Sequence, residues 1–239
     1  MSIISAPLLK LNSIKAAEAT KIMENSFRDI NIAFMNEMAK SFTKLGIDII
    51  EVIKAASTKP FSFMPHWPGC GVGGHCIPVD PYYLIEKAKV SGFEHKFLML
   101  AREINNSMPA YTVDLVVEAL NKVGKSVKNS KITVLGVAYK PNVNDIRESP
   151  SMDIIYHLKK LGENLVIYDP FIPSHSTVAD LDEALNTECV VLVTAHDMFK
   201  AITPEMLRMN NVRVVVDGRN VLYKASIIKE GIVYKGIGR

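Results

Sequence analysis

The chain has 239 residues, 48% of them hydrophobic and 22% charged, and a formal net charge of +3. That length bounds the count at one large domain or two small ones, and the apolar share excludes a disordered composition. A charge so near balance, with no basic run, excludes a nucleic-acid footprint, and no apolar stretch is long enough to span a bilayer.

The first residues, Met1 to Pro7, lack the basic flank of a secretory signal, so none is expected. From Ser13 to about Leu45 there is neither Pro nor Gly. Apolar residues recur at Ile22, Met23, Phe27, Ile30, Phe34, Met35, Met38 and Phe42, near helical spacing. Ser13 is placed to cap this helix and Gly46 to end it. A helix of that length reads as a spine joining domains or subunits. A shorter helix is expected from Asp48 to about Ala56.

Between Lys59 and Pro81 the texture changes to Pro60, Pro65, Pro68, Pro78 and Pro81 with Gly69, Gly71, Gly73 and Gly74. Both regular periodicities are broken, which predicts a long loop of the kind that often carries function. Helical patterns resume over Tyr82–Lys89, His95–Ser107 and Tyr111–Val123. Strands are then expected at Ile132–Val137, Leu165–Tyr168, Cys189–Val193 and Val212–Val216. Helices are expected at Ser151–Leu161, entered through Pro150, and at Ala179–Leu185. Alternating strands and helices predict a parallel sheet covered by helices. The fold class is therefore α/β, a helical part over residues 1–109 followed by a Rossmann-like parallel-sheet part over residues 110–239, divided near Ser107–Ala110.

Cys70, Cys76 and Cys189 are too few and odd in number for a disulfide framework, and a reducing cytoplasm suits them. Cys76 lies at the end of the Gly-rich loop, just before a helical segment whose terminal N–H groups favour a thiolate. Asp80 follows four residues later. A thiolate with a carboxylate and a basic partner suits covalent catalysis at an aldehyde carbon. Two other readings stay open. A lone Cys is more often a small buried hydrophobe. His66, Cys70, His75 and Cys76 are candidate metal ligands, although their spacing matches no zinc pattern and no metal is expected. On the long helix Lys21 and Asn25 share a face and border the apolar seam, which makes Lys21 a candidate base or electrostatic stabiliser. The segment after the first strand carries Tyr139, Lys140 and Arg147, and the one after the fourth carries Arg219. Both follow strand C-termini, where open α/β sheets bind ligands. Ordinary surface cations are the bland alternative. Gly136 stands alone, and the Gly69–Gly73 glycines lack the strand–turn–helix setting of a dinucleotide fingerprint.

Taken together, Gly-Val-Gly-Gly-His-Cys-Ile-Pro-Val-Asp-Pro (71–81), Ala-Glu-Ala-Thr-Lys (17–21) with Glu24-Asn25, Gly-Val-Ala-Tyr-Lys-Pro (136–141), Arg-Glu-Ser-Pro (147–150) and Asp-Gly-Arg-Asn (217–220) resemble the UDP-glucose/GDP-mannose dehydrogenase family. Thr58 to Pro65 is most similar to its UDP-N-acetylglucosamine and UDP-N-acetylmannosamine branches, which act on epimers that the sequence does not distinguish. The resemblance implies oxidation of a sugar C6 hydroxyl to a carboxylate with NAD, through a Cys76 thiohemiacetal and thioester. It implies that Lys21 and Asn25 hold the oxyanion and position water, and that Asp80 assists proton transfer. Gly73, Gly74, Tyr139, Lys140 and Arg219 would bind the UDP-N-acetylhexosamine, and Arg147 would face the cofactor. A homodimer built on the long helix is expected, with Arg219 acting across its interface. Members of the family begin with a GxGxxG Rossmann domain that binds NAD, and that domain is missing from this sequence. The expectation is a chain inactive alone, working with a separate NAD-binding domain. The alternative is a non-catalytic UDP-sugar-binding or dimerising subunit.

Overall fold

The computed structural model describes residues 6–162 and 164–239. The long helix α1 runs Ile14–Leu45, about 48 Å at 1.5 Å per residue. The Ser13 hydroxyl accepts from Ala16 N, and Gly46 closes the helix in the left-handed region at φ 72°. Helix α2 (Ile49–Ala56) is capped by the Asp48 carboxylate. After the loop come α3 (Asp80–Val90), α4 (Lys96–Asn106) and α5 (Met108–Lys122). Only Ser107 separates α4 from α5. The sequence reading starts α5 three residues late, because Pro109 looks like a break. In the first turn of a helix Pro gives up an N–H that has no intrahelical partner anyway.

Five parallel strands follow: β1 (Ile132–Leu135), β2 (Leu165–Tyr168), β3 (Cys189–Leu192), β4 (Val214–Asp217) and β5 (Val233–Gly236). They lie in the order β2-β1-β3-β4-β5. Ile132 pairs with both Leu165 and Cys189, and Val214 pairs with Cys189 and Val233. Helices α6 (Pro150–Leu161), α7 (Leu181–Leu185), α8 (Asp197–Lys200), α9 (Pro204–Met209) and α10 (Lys224–Lys229) connect them. The expected helical part followed by a parallel sheet is what the chain adopts. Helices α8 to α10 and strand β5 are additions to the sequence reading.

Strand side chains alternate between two cores, as the pleat requires. Cys189, Val191, Val214 and Val216 face α5 and α6, in a core that continues through Met108 to Ile49, Ile53 and Ala39. Val190, Leu192 and Val215 face Leu185, Phe199, Leu207 and Ile227 on the opposite side. The first core thus joins the helical part to the sheet without a polar seam. In α1 burial begins only at Asn25; the preceding turns, with Ile14 and Met23, are exposed.

Candidate active site

The loop after α2 enters the molecule at Gly69-Cys70. A buried polar relay holds it there. Asn36 Oδ1 accepts from Gly69 N at 2.9 Å, Asn36 Nδ2 donates to Asn105 Oδ1 at 2.9 Å, and Asn105 Nδ2 donates to Asp29 Oδ1 at 2.8 Å. Arg102 Nη1 donates to the same Asp29 oxygen at 2.6 Å. Burial pushes the Asp29 carboxyl above its ordinary value, and Arg102 and Asn105 oppose this without offsetting it. Cys70 Sγ faces Gly218 O at 3.6 Å. A Cβ on Gly218 would lie 2.0 Å from that sulfur, so Cys70 fills the space that Gly218 vacates. Burial pushes the Cys70 and Cys189 thiols up, leaving both as protonated packing groups. Among the described residues no three His, Cys, Asp or Glu side chains gather where a metal would sit.

Further along, the loop closes against the segment between β1 and α6. Gly74 N donates to Arg147 O at 2.9 Å. A Cβ on Gly73 would meet Glu148 O at 2.7 Å, and one on Gly74, with φ 90°, would meet the Tyr139 ring at 2.7 Å. These two glycines therefore let the Tyr139 segment pack closely, beyond the ligand approach read from the sequence. A groove of about 250 Å³ opens beside them, lined by Arg28, His75, Cys76, Tyr139 and Lys140 among others. Cys76 is half-buried, and its sulfur lies 2.8 Å from His75 Nδ1.

Asn25 is wholly buried beside this groove. Its Nδ2 donates to Asp80 Oδ2 at 2.5 Å, while its Oδ1 accepts from Arg28 Nη2 at 2.7 Å. Asp80 opens α3, and the Cys76 carbonyl accepts from its N–H, so one turn ties thiol and carboxylate together. Lys21 differs from expectation. It is exposed and does not enter a buried seam; full burial on α1 begins one turn later, at Asn25. Arg147 forks onto Asp145, with contacts of 3.0 and 2.6 Å, and this partner holds the Asp145 carboxyl down to about 2.

The C-terminal ends of β1, β3 and β4 converge on a second cavity of about 760 Å³. Trp67, Tyr139, Lys140, Ala195, Arg219 and Tyr223 line it. Sheet order reverses between β1 and β3, so this is the crevice where open α/β sheets take ligands. Lys140 Nζ sits 5.4 Å from the Tyr139 ring centroid. Arg219 is fixed by its Nε donating to Val193 O at 2.7 Å. Beneath, Asp169 Oδ2 accepts from Val137 N at 2.6 Å and Ala138 N at 2.8 Å. His196 Nε2 lies 3.1 Å from that oxygen, and His196 Nδ1 accepts from Asn142 N at 2.9 Å. This platform holds the Tyr139-Lys140 segment in place.

The same platform bears on NAD. A dinucleotide pyrophosphate needs free N–H groups and a helix start directly after a strand. Here the N–H groups after β1 are taken by Asp169, and the Cβ side of Gly136 is filled by Thr194. Helix α6 starts only at Pro150. The segment between β1 and α6 therefore does not form a dinucleotide cradle.

Residues 15–107 match the profile described as UDP-glucose/GDP-mannose dehydrogenase family, central domain, and residues 133–224 match the same family's UDP binding domain. The chain belongs to the UDP-glucose/GDP-mannose dehydrogenase family. It is 38% identical over 229 residues to the UDP-N-acetyl-D-mannosamine dehydrogenase of Methanococcus maripaludis, covering 93% of this chain and 52% of that protein. It is 36% identical to the UDP-N-acetyl-D-glucosamine 6-dehydrogenase of Pseudomonas aeruginosa, covering 92% and 52%. The solved UDP-N-acetylmannosamine dehydrogenase of Pyrococcus horikoshii superposes with a TM-score of 0.89 at 33% identity, over 99% of this chain and 55% of that one. The chain spans about half the length of the curated relatives it matches.

The sequence reading does not include Arg28, the Asp29–Arg102–Asn105–Asn36 relay or the Asp169–His196 platform. Arg28 has a local signal, standing three residues after Asn25 on a helix. The two networks join residues far apart in sequence and have none.

Proposed function

We propose that this chain supplies the nucleophile and the sugar-nucleotide site of a UDP-N-acetylhexosamine 6-dehydrogenase, with NAD carried on a separate domain. One observation carries the reading: the Cys76 thiol opens onto a groove that shares Tyr139 and Lys140 with the strand-end cavity. A ligand lying across both presents a nucleotide at one end and a sugar at the other. Lys140 and Arg219 would pair with the diphosphate, and Tyr139 and Trp67 would offer aromatic faces to the uridine and sugar. Gly73 and Gly74 would border the sugar along the Cys76 groove.

In this reading Cys76 Sγ attacks the C6 aldehyde, and the thioester formed after oxidation is opened by water. Asp80, aligned by Asn25, takes the proton from that water. Asn25 is in turn fixed by Arg28, so the Arg28–Asn25–Asp80 line orients the carboxylate before substrate arrives. Lys21, exposed and on the same face of α1, would stabilise the developing oxyanion. The exposed apolar turns of α1 are in keeping with a homodimer formed along that helix. Arg147 would face the cofactor. The setting would be the cytoplasm, where Cys76 stays reduced.

The test is NADH formation from UDP-N-acetylglucosamine and UDP-N-acetylmannosamine, by the chain alone and mixed with a dinucleotide-binding domain from the same source. Turnover only in the mixture, abolished by Cys76→Ala, is expected. UDP-sugar binding without turnover in any mixture would favour a binding subunit instead.

A further inference from the structure

We propose that His75 is the proton acceptor that turns the Cys76 thiol into the nucleophile. The inference deepens the catalytic reading of Cys76 and rests on it. His75 Nδ1 lies 2.8 Å from Cys76 Sγ. With Nδ1 accepting, the proton of neutral His75 sits on Nε2, and the thiol hydrogen has a nitrogen lone pair to move to. His75 itself is exposed, so its ring meets the same groove the sugar would enter.

Cations share the groove with the pair, while the opposing Asp80 carboxylate is held by Asn25 Nδ2. Arg28 from α1 and Lys140 from the segment after β1 line the groove with the pair. Cations lining the groove are of the sign that suits a developing thiolate. Tyr139 completes the wall. In the step itself the Sγ proton passes to Nδ1 and a sulfur lone pair forms the bond to the aldehyde carbon. The C=O π pair moves to oxygen, and the Nδ1 proton is returned to that oxygen. A neutral thiohemiacetal and a neutral His75 result. Asp80, held against Asn25, serves the later water step, and His75 is the group in contact with the sulfur itself.

The chain allows a direct test, because Cys70 and Cys189 are fully buried and Cys76 is left as the reactive thiol. The 239-residue chain and its His75→Gln variant are treated with iodoacetamide between pH 6 and pH 10, and the alkylation rate of Cys76 is followed by mass spectrometry. Glutamine keeps a hydrogen-bonding oxygen near the sulfur and takes no proton. An ordinary thiol is only about 3% ionised at pH 7. Allowing for the weaker nucleophilicity of a readily ionised thiolate, His75→Gln is expected to be about fivefold slower there. The rates are expected to converge at the alkaline end, where any thiol is ionised. Equal rates at pH 7 would overturn the proposal, as would a loss that is constant across pH, which signals access and not proton transfer. The circular-dichroism melt of His75→Gln is expected to match that of the parent chain and reports the fold of the variant. If Cys76→Ala abolishes turnover in the mixture while His75→Gln alkylates normally, His75 is wrong and the nucleophile stands. If His75→Gln slows alkylation but Cys76→Ala leaves turnover intact, both catalytic assignments fail.

Discussion

Replacing Arg102 with Met tests the relay that ties α1 to the substrate loop. Asp29 is wholly buried and the Arg102 side chain nearly so. Asp29 Oδ1 takes both Arg102 and Asn105, while Asp29 Oδ2 has no partner among the described residues. Methionine fills much of the volume and removes the charge, leaving a buried carboxylate with a single side-chain donor. Breaking such a pair from one side costs about 3–5 kcal/mol, most of it the penalty of the stranded charge. Replacing both partners, as Asp29→Asn with Arg102→Met, removes that charge and is expected to recover more than half of the loss. The pH dependence has a fixed sign. Asp29 already has a raised carboxyl, so its protonated form is favoured in the folded state, and the stability tied to that is lost as pH rises through the folded value. Without Arg102 the carboxyl rises further, so the cost of Arg102→Met is expected to shrink as pH falls from 7 to 5. Urea unfolding of the four-member cycle, read by circular dichroism, measures each term. A loss under 1 kcal/mol at pH 7, or a double variant no better than the single one, would refute the stranded-charge argument.

Two further outcomes follow from close contacts. Gly218→Ala places a methyl 2.0 Å from Cys70 Sγ and 2.8 Å from Leu192 O. It is expected to cost about 1–3 kcal/mol and to weaken UDP-sugar binding through the neighbouring Arg219, both partly restored by adding Cys70→Ala; calorimetry and thermal melting check this. Asp48 accepts from Lys224 at 3.1 Å and Arg239 at 2.9 Å. Burial works upward on it, but these cations prevail and hold its carboxyl below the ordinary value. Its contribution is present above the unfolded value and is lost as pH falls through the lower folded one. Asp48→Asn, which keeps an N-cap, is expected to cost about 1 kcal/mol at pH 7 and nothing at the acid end of a melting series.

The parts of this structure that were legible in the sequence are the ones with local rules. Ser13 and Gly46 bound α1 because capping is settled within four residues. Strands β1 to β4 are apolar on both faces and announce themselves. Strand β5 has only alternate residues buried and follows a short helix, so it reads as a surface turn. Helices α8, α9 and α10 are too brief to show a period. At the site, Cys76 and Asp80 are marked by the Gly- and Pro-rich loop. The burial of Asn25 against the exposure of Lys21, one turn apart, depends on the distant Asp80 meeting Asn25. That is a tertiary fact with no local trace.

The contact between Asp48 and Arg239 spans 191 residues, and beside it Ile49 N donates to Gly238 O at 3.0 Å. A backbone clasp over such a distance is among the last that a folding chain closes, since the loop must be drawn in before any gain from the contact appears. Helix α2 therefore gains its final support only when β5 is in place, so α2 and β5 are expected to lose hydrogen-exchange protection together.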